Sequence, residues 1–128
     1  MERTERQIWG ALIALMEEKP LDKIKVTELT QRAGISRSTF YSYYDSVYDV
    51  LQDIEDDFLS HIVDERKVGV ENNASVIAEN FSYIRDNLKT FQIITSANGD
   101  PSFEMRLGNR SRRVLSNIAL ETHSSMTK

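Results

Sequence analysis

The amino-acid sequence predicts an all-α fold, in which a three-helix head is linked by a long helix to a C-terminal helical bundle. Apolar residues recur at three- and four-residue spacing along most of the chain, which is the spacing of a helix with one buried face. The 128 residues include only 5 Gly and 2 Pro, and 40% are hydrophobic, as in a folded helical protein. We expect the head to occupy residues 1–47 and the C-terminal helical domain residues 48–128.

The first helix is expected to open with a capping box at Thr4-Glu5-Arg6-Gln7, whose first and fourth side chains accept from free backbone amides. Trp9 is expected in the core, and Pro20 ends the helix because the residue before a proline avoids the helical region. The buried face follows the three-and-four spacing and consists of Ile8, Leu12, Leu15 and Met16.

Residues 27–44 are predicted to form two short helices joined by a glycine turn. Thr27 is expected to cap the first of these helices with its hydroxyl. Gly34 follows, where the end of a helix needs a residue that tolerates left-handed backbone. Ser36 is expected to cap the second helix in the same way. This order is the helix-turn-helix arrangement, whose second helix enters the major groove of DNA.

The second helix of this motif has an apolar inner face and a small, polar outer face. At about 100° per residue, Phe40 and Tyr44 lie on the inner face. Short hydroxyls let a helix approach base edges, an arginine pairs with guanine, and tyrosine hydroxyls suit phosphate oxygens. The alternative is a surface helix that carries Ser and Thr by chance and Tyr for packing. We predict base contacts from Arg37, Ser38, Thr39 and Ser42, and phosphate contacts from Thr27, Tyr41 and Tyr43.

Over residues 8–51 the chain resembles the DNA-binding domain of the TetR family of bacterial transcriptional regulators. The matching segments are Glu18-Lys19, residues 24–29 (Ile-Lys-Val-Thr-Glu-Leu) and residues 33–44 (Ala-Gly-Ile-Ser-Arg-Ser-Thr-Phe-Tyr-Ser-Tyr-Tyr). Residues 81–87 and 98–103 are similar to the C-terminal domain of a TetR subgroup of low-GC Gram-positive bacteria, which includes regulators of dihydroxyacetone kinase operons. The resemblance implies a homodimer that binds a double-stranded DNA operator, with repression as the family default and activation left open. It also implies a small-molecule or protein effector.

The chain departs from the family pattern in two respects. Family members usually carry a Lys at the start of the fourth helix, where this chain has Val47, so a phosphate contact is absent or is made by Arg37 or Lys25. Family members end in two helices that pair with the partner subunit, and this chain stops near the point where those helices would begin, so we expect an incomplete C-terminal domain. We expect a fragment, a shortened family member or a different mode of dimerisation. These departures support the alternative of a protein-binding co-regulator that keeps the fold but binds DNA weakly.

The net charge of −4 is unusual for a DNA-binding protein, and the acidic residues are concentrated beyond the head. Residues 1–48 hold seven basic and seven acidic groups, whereas residues 49–66 hold seven acidic groups against Arg66 alone. Salt screens charges beyond about 10 Å, which limits the effect of this acidic stretch on bound DNA. Most of these carboxylates are expected on the solvated face of the fourth helix.

The C-terminal half is predicted to continue as helices separated by polar turns. Asp45 or Ser46 is expected to cap the fourth helix, a linker covers residues 67–73, and the next helix covers about residues 74–88. Gly99 ends the preceding helix, and Asp100 caps a last helix that runs from Pro101 to about residue 121. The apolar residues expected to face inward from the fourth helix and from helix 74–88 are Val47, Val50, Leu51, Ile54, Phe58, Leu59, Ile62, Val76, Ile77, Phe81, Ile84 and Leu88.

The resemblance implies an effector pocket, and the sequence leaves open whether its lining is a pocket or an ordinary core. Apolar helix faces look the same in both cases, and the ordinary core is the more common outcome. The residues that would line the pocket are Phe58, Ile62, Phe81, Ile84, Phe91 and Phe103.

Catalytic, metal and membrane functions have no support in the sequence. There is no cysteine, the two histidines (His61 and His123) are far apart, and no glycine-rich phosphate loop is present. We therefore expect no enzymatic activity, no cofactor and no metal. No apolar run reaches the roughly 18 residues of a membrane span, and the N-terminus does not resemble a signal peptide. The expected location is the cytoplasm.

Overall fold

The computed structural model describes residues 1–61, 73–103 and 105–108, and every regular element within these ranges is a helix, as predicted. The elements are α1 (Arg3–Met16), a 3₁₀ turn (Leu21–Lys23), α2 (Val26–Ala33), α3 (Arg37–Tyr43), α4 (Val47–Ser60), α5 (Asn73–Asp86) and α6 (Leu88–Ile94). Residues 101–103 and 105–108 are also helical, and we call them the C-terminal segment. The predicted linker 67–73 overlaps the described residues only at Asn73, which begins α5, and the predicted end of the last helix lies outside them.

One apolar core runs through the head and into the C-terminal part of the chain. α1 packs against α2, α4 and α6. The core combines Leu29 of α2, Phe40 of α3, Ile94 of α6 and Phe103 of the C-terminal segment with the inner faces of α1 and α4. The inner faces predicted for these two helices are confirmed from Ile8 to Met16 and from Val47 to Phe58, all of which are buried: Ile8, Leu12, Leu15, Met16, Val47, Val50, Leu51, Ile54 and Phe58.

Two helices begin earlier than the capping residues predict. α1 begins at Arg3 after Glu2, so Thr4 lies inside the helix and the capping box at Thr4 is wrong. α2 begins at Val26, and the Glu28 carboxylate accepts a hydrogen bond from the backbone N–H of Lys25 at 3.3 Å. The residue directly before the helix is Lys25 rather than Thr27. Thr27 is therefore an exposed residue of the first turn, and its predicted capping role is wrong.

Two side chains that the periodicity placed in the core are exposed. Phe81 is 69% exposed and Leu88 is 46% exposed, so the prediction that they face inward is wrong. The helix predicted over 74–88 is broken at Asn87, whose side chain donates to the carbonyl of Tyr83 at 3.0 Å, and Leu88 begins α6. Within α5, Tyr83 packs edge-on against Phe58 with the ring centroids 5.0 Å apart. Residues two apart on a helix point in nearly opposite directions, so packing Tyr83 inward turns Phe81 outward.

The turn around residues 98–100 attaches the C-terminal part to the head. The side-chain amide of Asn98 donates to the carbonyl of Met16 at 2.8 Å, and the N–H of Leu21 donates to the carbonyl of Asn98 at 3.1 Å. The predicted cap is confirmed, because Asp100 Oδ1 accepts from the N–H of Ser102 at 2.9 Å. A Cβ at Gly99 would overlap a backbone carbonyl of α6, so this close approach requires glycine.

A tight left-handed turn at Gly34 joins α2 and α3, as predicted. Gly34 has φ 73° and ψ 34°, and the N–H of Ile35 donates to the carbonyl of Thr30 at 3.1 Å. This bond spans five residues, as in the Schellman arrangement that ends many helices. The turn sets the direction in which α3 leaves α2.

Glu55 is a charged side chain buried within the core, with 2% of its surface exposed. Its Oε1 accepts a hydrogen bond from Arg106 Nη2 of the C-terminal segment at 2.9 Å. The same guanidinium lies 3.8 Å from Asp100 Oδ2 and 3.6 Å from Asp56 Oδ1. Burial and the negative charge of Asp100 raise the pKa of Glu55 to about 7. This ion pair is a second link between α4 and the C-terminal part.

We predict opposite effects on stability for alanine at two glycines. Gly34→Ala places a side chain in left-handed backbone and should lower the free energy of unfolding by about 1 kcal/mol, although there is open space around the new Cβ. Gly10→Ala, inside α1 and equally open, should raise it by about 0.5–1 kcal/mol. Urea unfolding curves measure both changes, and a stabilised Gly34→Ala protein would contradict the turn geometry.

We also predict that Glu55 makes the folded protein less stable as the pH rises from about 4.5 to about 7. The pKa of Glu55 is about 7 in the folded protein against a usual 4.5, so the folded state binds more protons across this window and loses stability as the pH rises. Glu55→Gln should reduce this loss by about 1–3 kcal/mol between pH 5 and pH 8 in urea unfolding. The control is Asp57→Asn, which neutralises a half-buried carboxylate of α4, 4.0 Å from His61 Nδ1, and should keep the loss of stability that comes from Glu55. An equal loss in wild type and Glu55→Gln would exclude Glu55 as its source.

Candidate nucleic-acid interface

α3 is positioned by one residue inside it and one at its end. Phe40 is fully buried in the core of the head, and Tyr44, in extended backbone directly after the helix, is also buried. At the other end, Ser36 Oγ accepts from the N–H of Thr39 at 3.1 Å, which confirms Ser36 as the cap. The predicted inner face of the helix is therefore confirmed.

A chain of hydrogen bonds through Tyr44 connects α1, the end of α3 and α4. Trp9 Nε1 donates to the Tyr44 hydroxyl at 2.8 Å, and this hydroxyl donates to Asp53 Oδ2 at 3.0 Å. Burial raises the pKa of Tyr44 to about 12, which keeps the hydroxyl protonated and able to donate. The expectation that Trp9 belongs to the core agrees with its packing against the buried residues of the head.

The outer face of α3 presents the polar side chains that the sequence predicts there. Arg37, Ser38, Tyr41 and Ser42 are exposed and Thr39 is half-buried. The hydroxyls bond locally, since Ser36 Oγ donates to Thr39 Oγ1 at 2.8 Å and Ser42 Oγ donates to the Thr39 carbonyl at 2.5 Å. A hydroxyl rotates freely and exchanges such bonds for a base edge without moving the backbone.

The residues predicted to contact phosphates differ in how accessible they are. Tyr41 and Thr27 are exposed, whereas Tyr43 is half-buried and its hydroxyl donates to Glu2 Oε1 at 2.6 Å. This hydrogen bond to Glu2 raises the pKa of Tyr43. Val47, at the first position of α4, is buried and offers no polar group to a phosphate.

Charge is distributed unevenly along α3. Arg37, at its N-terminal end, makes no ion pair with any described residue. At the C-terminal end, residues 41–44 border an open polar cavity of about 560 Å³. The carboxylates that line this acidic cavity are Asp45, Asp49, Asp53 and Asp56. α3 thus has at one end an arginine that pairs with no described residue, and at the other end the acidic cavity.

The residues predicted to line an effector pocket are mostly packed against one another. The Phe58 ring stacks on Phe91 with centroids 5.5 Å apart and meets Phe103 edge-on at 6.0 Å. Ile84 packs against the same core, whereas Phe81 faces outward and Ile62 lies outside the described residues. The rings of Phe58, Phe91 and Phe103 fill the space between α4, α6 and the C-terminal segment, and a role in effector binding stays a prediction.

A separate cavity, which the sequence did not predict, lies between the head and the C-terminal part. This junction cavity has a volume of about 560 Å³ and is lined by Pro20 and the 3₁₀ turn, by α4, and by residues 97–102 with Arg106 of the C-terminal segment. Because the lining comes from three distant stretches of chain, no local pattern marks it. The sequence contained one sign of an unusual buried group. Glu55 lies four residues after Leu51 and three before Phe58, so a charged residue falls on the buried face of α4.

Metal and membrane features are absent from the part of the chain that the structure describes. No group of three or more His, Asp or Glu side chains there is arranged to hold a metal ion. No helix within these ranges has both the length and the apolar character needed to cross a bilayer.

Comparison with known proteins finds two similar helix-turn-helix proteins. The chain is 30% identical over 56 residues to YxbF and 33% identical over 61 residues to YvdT, each named as an uncharacterized HTH-type transcriptional regulator of Bacillus subtilis (strain 168). The matches cover 44% and 48% of this chain but only 15% and 31% of the two relatives, so the chain spans less than a third of either. No family model matches the chain, and no solved structure matches it. These likenesses agree with the helix-turn-helix geometry of α2 and α3.

We predict that Tyr44→Phe destabilises the head although it keeps the aromatic ring. The change removes both hydrogen bonds of the Tyr44 hydroxyl and leaves the indole N–H of Trp9 without its acceptor, which should lower the free energy of unfolding by about 1–3 kcal/mol. Tyr41→Phe, at an exposed ring of the same helix, is the matched control and should change stability by less than about 0.5 kcal/mol. Urea unfolding followed by Trp9 fluorescence measures both, and equal stabilities for the two variants would show that the hydrogen-bond chain does not hold α3.

Proposed function

We propose that this chain is a sequence-specific DNA-binding transcriptional regulator of the TetR type, which represses as a dimer and is released or modulated by an effector. The observation that carries the proposal is the placement of α3, which is capped at Ser36, anchored by Phe40 and exposed on its polar outer face. The resemblance over residues 8–51 and the names of the two Bacillus relatives support DNA as the partner.

In this proposal α3 enters the major groove with its N-terminal end leading. Arg37 donates two hydrogen bonds to the O6 and N7 acceptors of a guanine, which is the most common specific contact between an arginine and a base. The hydroxyls of Ser38, Thr39 and Ser42 contact neighbouring base edges at short range. The proposed phosphate contacts come from Thr27, Tyr41 and Tyr43.

The contact from Tyr43 requires an exchange of partners. Its hydroxyl donates to the Glu2 carboxylate. To contact DNA, the hydroxyl must give up this carboxylate and donate to a phosphate oxygen instead. Val47 is buried and uncharged, so the first position of α4 supplies no cation to the phosphate backbone of DNA. Each lost phosphate contact flattens the dependence of affinity on salt, so we expect a shallow salt dependence for this head.

The second candidate is a protein-binding co-regulator with weak affinity for DNA. The acidic cavity beside the C-terminal end of α3 favours it, because carboxylates repel phosphates and attract a basic protein surface. The two candidates differ in what Arg37 does: it reads a base in the first and is a surface cation in the second.

Selection of bound sequences from a random duplex library, with the purified chain at near-physiological salt, separates the two. Enrichment of a two-fold symmetric motif, with half-sites about one helical turn apart, supports a dimeric regulator. A single half-site supports the base contacts of α3 but not the dimer. If no sequence is enriched, the proposal is overturned in favour of the co-regulator.

We predict that Arg37→Ala removes the base preference at one position of the selected motif. The lost guanine contact should cost about 1–3 kcal/mol of discrimination, or roughly tenfold to a hundredfold in relative affinity. The folded state should be unaffected, because the side chain is exposed and pairs with no described residue. Competition binding with matched and mismatched duplexes measures the effect. The control is Arg85→Ala, at an exposed arginine of α5 that pairs with Asp86 at 3.5 Å and should leave DNA binding unchanged.

A further inference from the structure

The N-terminal end of α1 contacts the C-terminal end of α3. The hydroxyl of Tyr43, the last residue of α3, donates at 2.6 Å to Oε1 of Glu2, the residue directly before α1. This distance is within the range of about 2.5–2.7 Å that a hydroxyl adopts with an ionised acceptor. Glu2 forms no ion pair with any cation of the described residues. An uncompensated carboxylate therefore lies on a side chain that is proposed to contact DNA.

Glu2 and a DNA phosphate need the same proton of Tyr43. A tyrosine hydroxyl has one proton, which it donates to one acceptor at a time. A phosphate oxygen is an anionic acceptor, as the Glu2 carboxylate is, and tyrosine hydroxyls donate to phosphates in many DNA complexes. Two groups that meet the same hydroxyl lie within roughly 6 Å of each other, where salt screens their repulsion only in part. Binding of the carboxylate and binding of a phosphate are therefore mutually exclusive at Tyr43.

The Glu2 side chain does not support the start of α1. It is exposed, and it makes no capping hydrogen bond to the free amides of the helix. The backbone carbonyl of Glu2 accepts from the N–H of Arg6 at 3.1 Å, and this bond does not depend on the side chain. Substitution at an exposed position of this kind changes stability little. Glu2→Ala should therefore leave the head folded and alter the surroundings of Tyr43.

We propose that Glu2 is an autoinhibitory residue, whose carboxylate takes the place of a DNA phosphate on the Tyr43 hydroxyl and so lowers the affinity of the head for DNA. The inference rests on the proposed function and deepens it, because it assigns two competing partners to one proposed phosphate contact. Since Val47 supplies no cation, only Thr27 and Tyr41 share the proposed phosphate contacts with Tyr43. Release of Glu2 restores the third of these contacts.

The hydrogen bond is tested first without DNA. Acceptance by Glu2 raises the pKa of Tyr43. The ring signals of ¹³C-labelled tyrosine report each titration, and the Tyr43 signal is the one that Tyr43→Phe removes. We expect the pKa of Tyr43 to be lower in Glu2→Ala than in wild type, because the anionic acceptor is gone. An unchanged pKa would show that the hydrogen bond does not form in solution and would overturn the proposal.

Affinity for DNA is then measured with a fluorescent duplex of arbitrary sequence at low salt, because phosphate contacts do not depend on the bases. Glu2→Ala should raise the affinity about threefold to tenfold. The matched control is Asp22→Asn, which removes the same unit of charge from an exposed carboxylate of the 3₁₀ turn, at the junction cavity. This control should change the affinity less than about twofold. An equal gain in both variants would indicate a general effect of net charge and overturn the proposal.

A double-mutant cycle locates the effect at the Tyr43 hydroxyl. Tyr43→Phe alone should lower the affinity less than about twofold, because Glu2 already occupies the hydroxyl. In the Glu2→Ala protein the same change should lower the affinity about threefold to tenfold, since it removes the phosphate contact that was gained. In Tyr43→Phe nothing holds the carboxylate beside the phosphate, so Glu2→Ala should then have little effect. A full gain from Glu2→Ala in the Tyr43→Phe protein would contradict the exchange at the hydroxyl.

The outcomes separate this inference from the proposed function. If wild type binds the duplex and Glu2→Ala binds it no better, Glu2 is not autoinhibitory, and the proposed DNA binding stands. If neither protein binds the duplex at low salt, the proposed function is overturned and the autoinhibitory role with it.

Discussion

The burial of Phe40 determines where α3 lies, and the proposed interface depends on it. α3 has only 7 residues, and a helix of this length is not stable in water by itself. Its position comes instead from Phe40 in the core and from Tyr44, which Trp9 and Asp53 hold at the end of the helix. At about 100° per residue, an inward Phe40 turns Ser38 and Ser42 outward. The polar outer face of α3 is therefore presented to solvent because its apolar inner face is fixed in the core.

The sequence predicted the elements that depend on repeated spacing and missed details that depend on one contact. The buried faces of α1 and α4 follow from many apolar residues, so no single error changes them. The starts of α1 and α2 depend on single positions: α1 begins after Glu2 with no side-chain cap, and at α2 the Glu28 side chain accepts from the N–H of Lys25, one residue before the helix. Leu88 was misplaced because the helical period was extended through Asn87, where the chain changes helix, and Phe81 because Tyr83 is the residue that packs against Phe58.

The candidate site divides in the same way. The exposed outer face of α3 follows from helical geometry within one segment, so its residues could be named from the sequence, while the contacts they make stay predictions. The two cavities could not be predicted because tertiary packing forms them. The acidic stretch was visible, but its position beside α3 depends on how α4 packs after the turn at Tyr44. The junction cavity needs residues about 80 positions apart, from Pro20 to Pro101, to meet.

α4 is the element that connects the anchor of α3 to the junction cavity. Asp53 of α4 holds Tyr44 at the end of α3, and Glu55, two residues further along the same helix, faces the junction cavity. A helix moves as a unit, so a ligand that shifts α4 also shifts the anchor of α3. A ligand changes an equilibrium only by the difference in its affinity for the two arrangements. A change at the junction cavity would therefore alter DNA binding only as far as it favours one placement of α4, and binding DNA would alter the equilibrium at the cavity by the same factor.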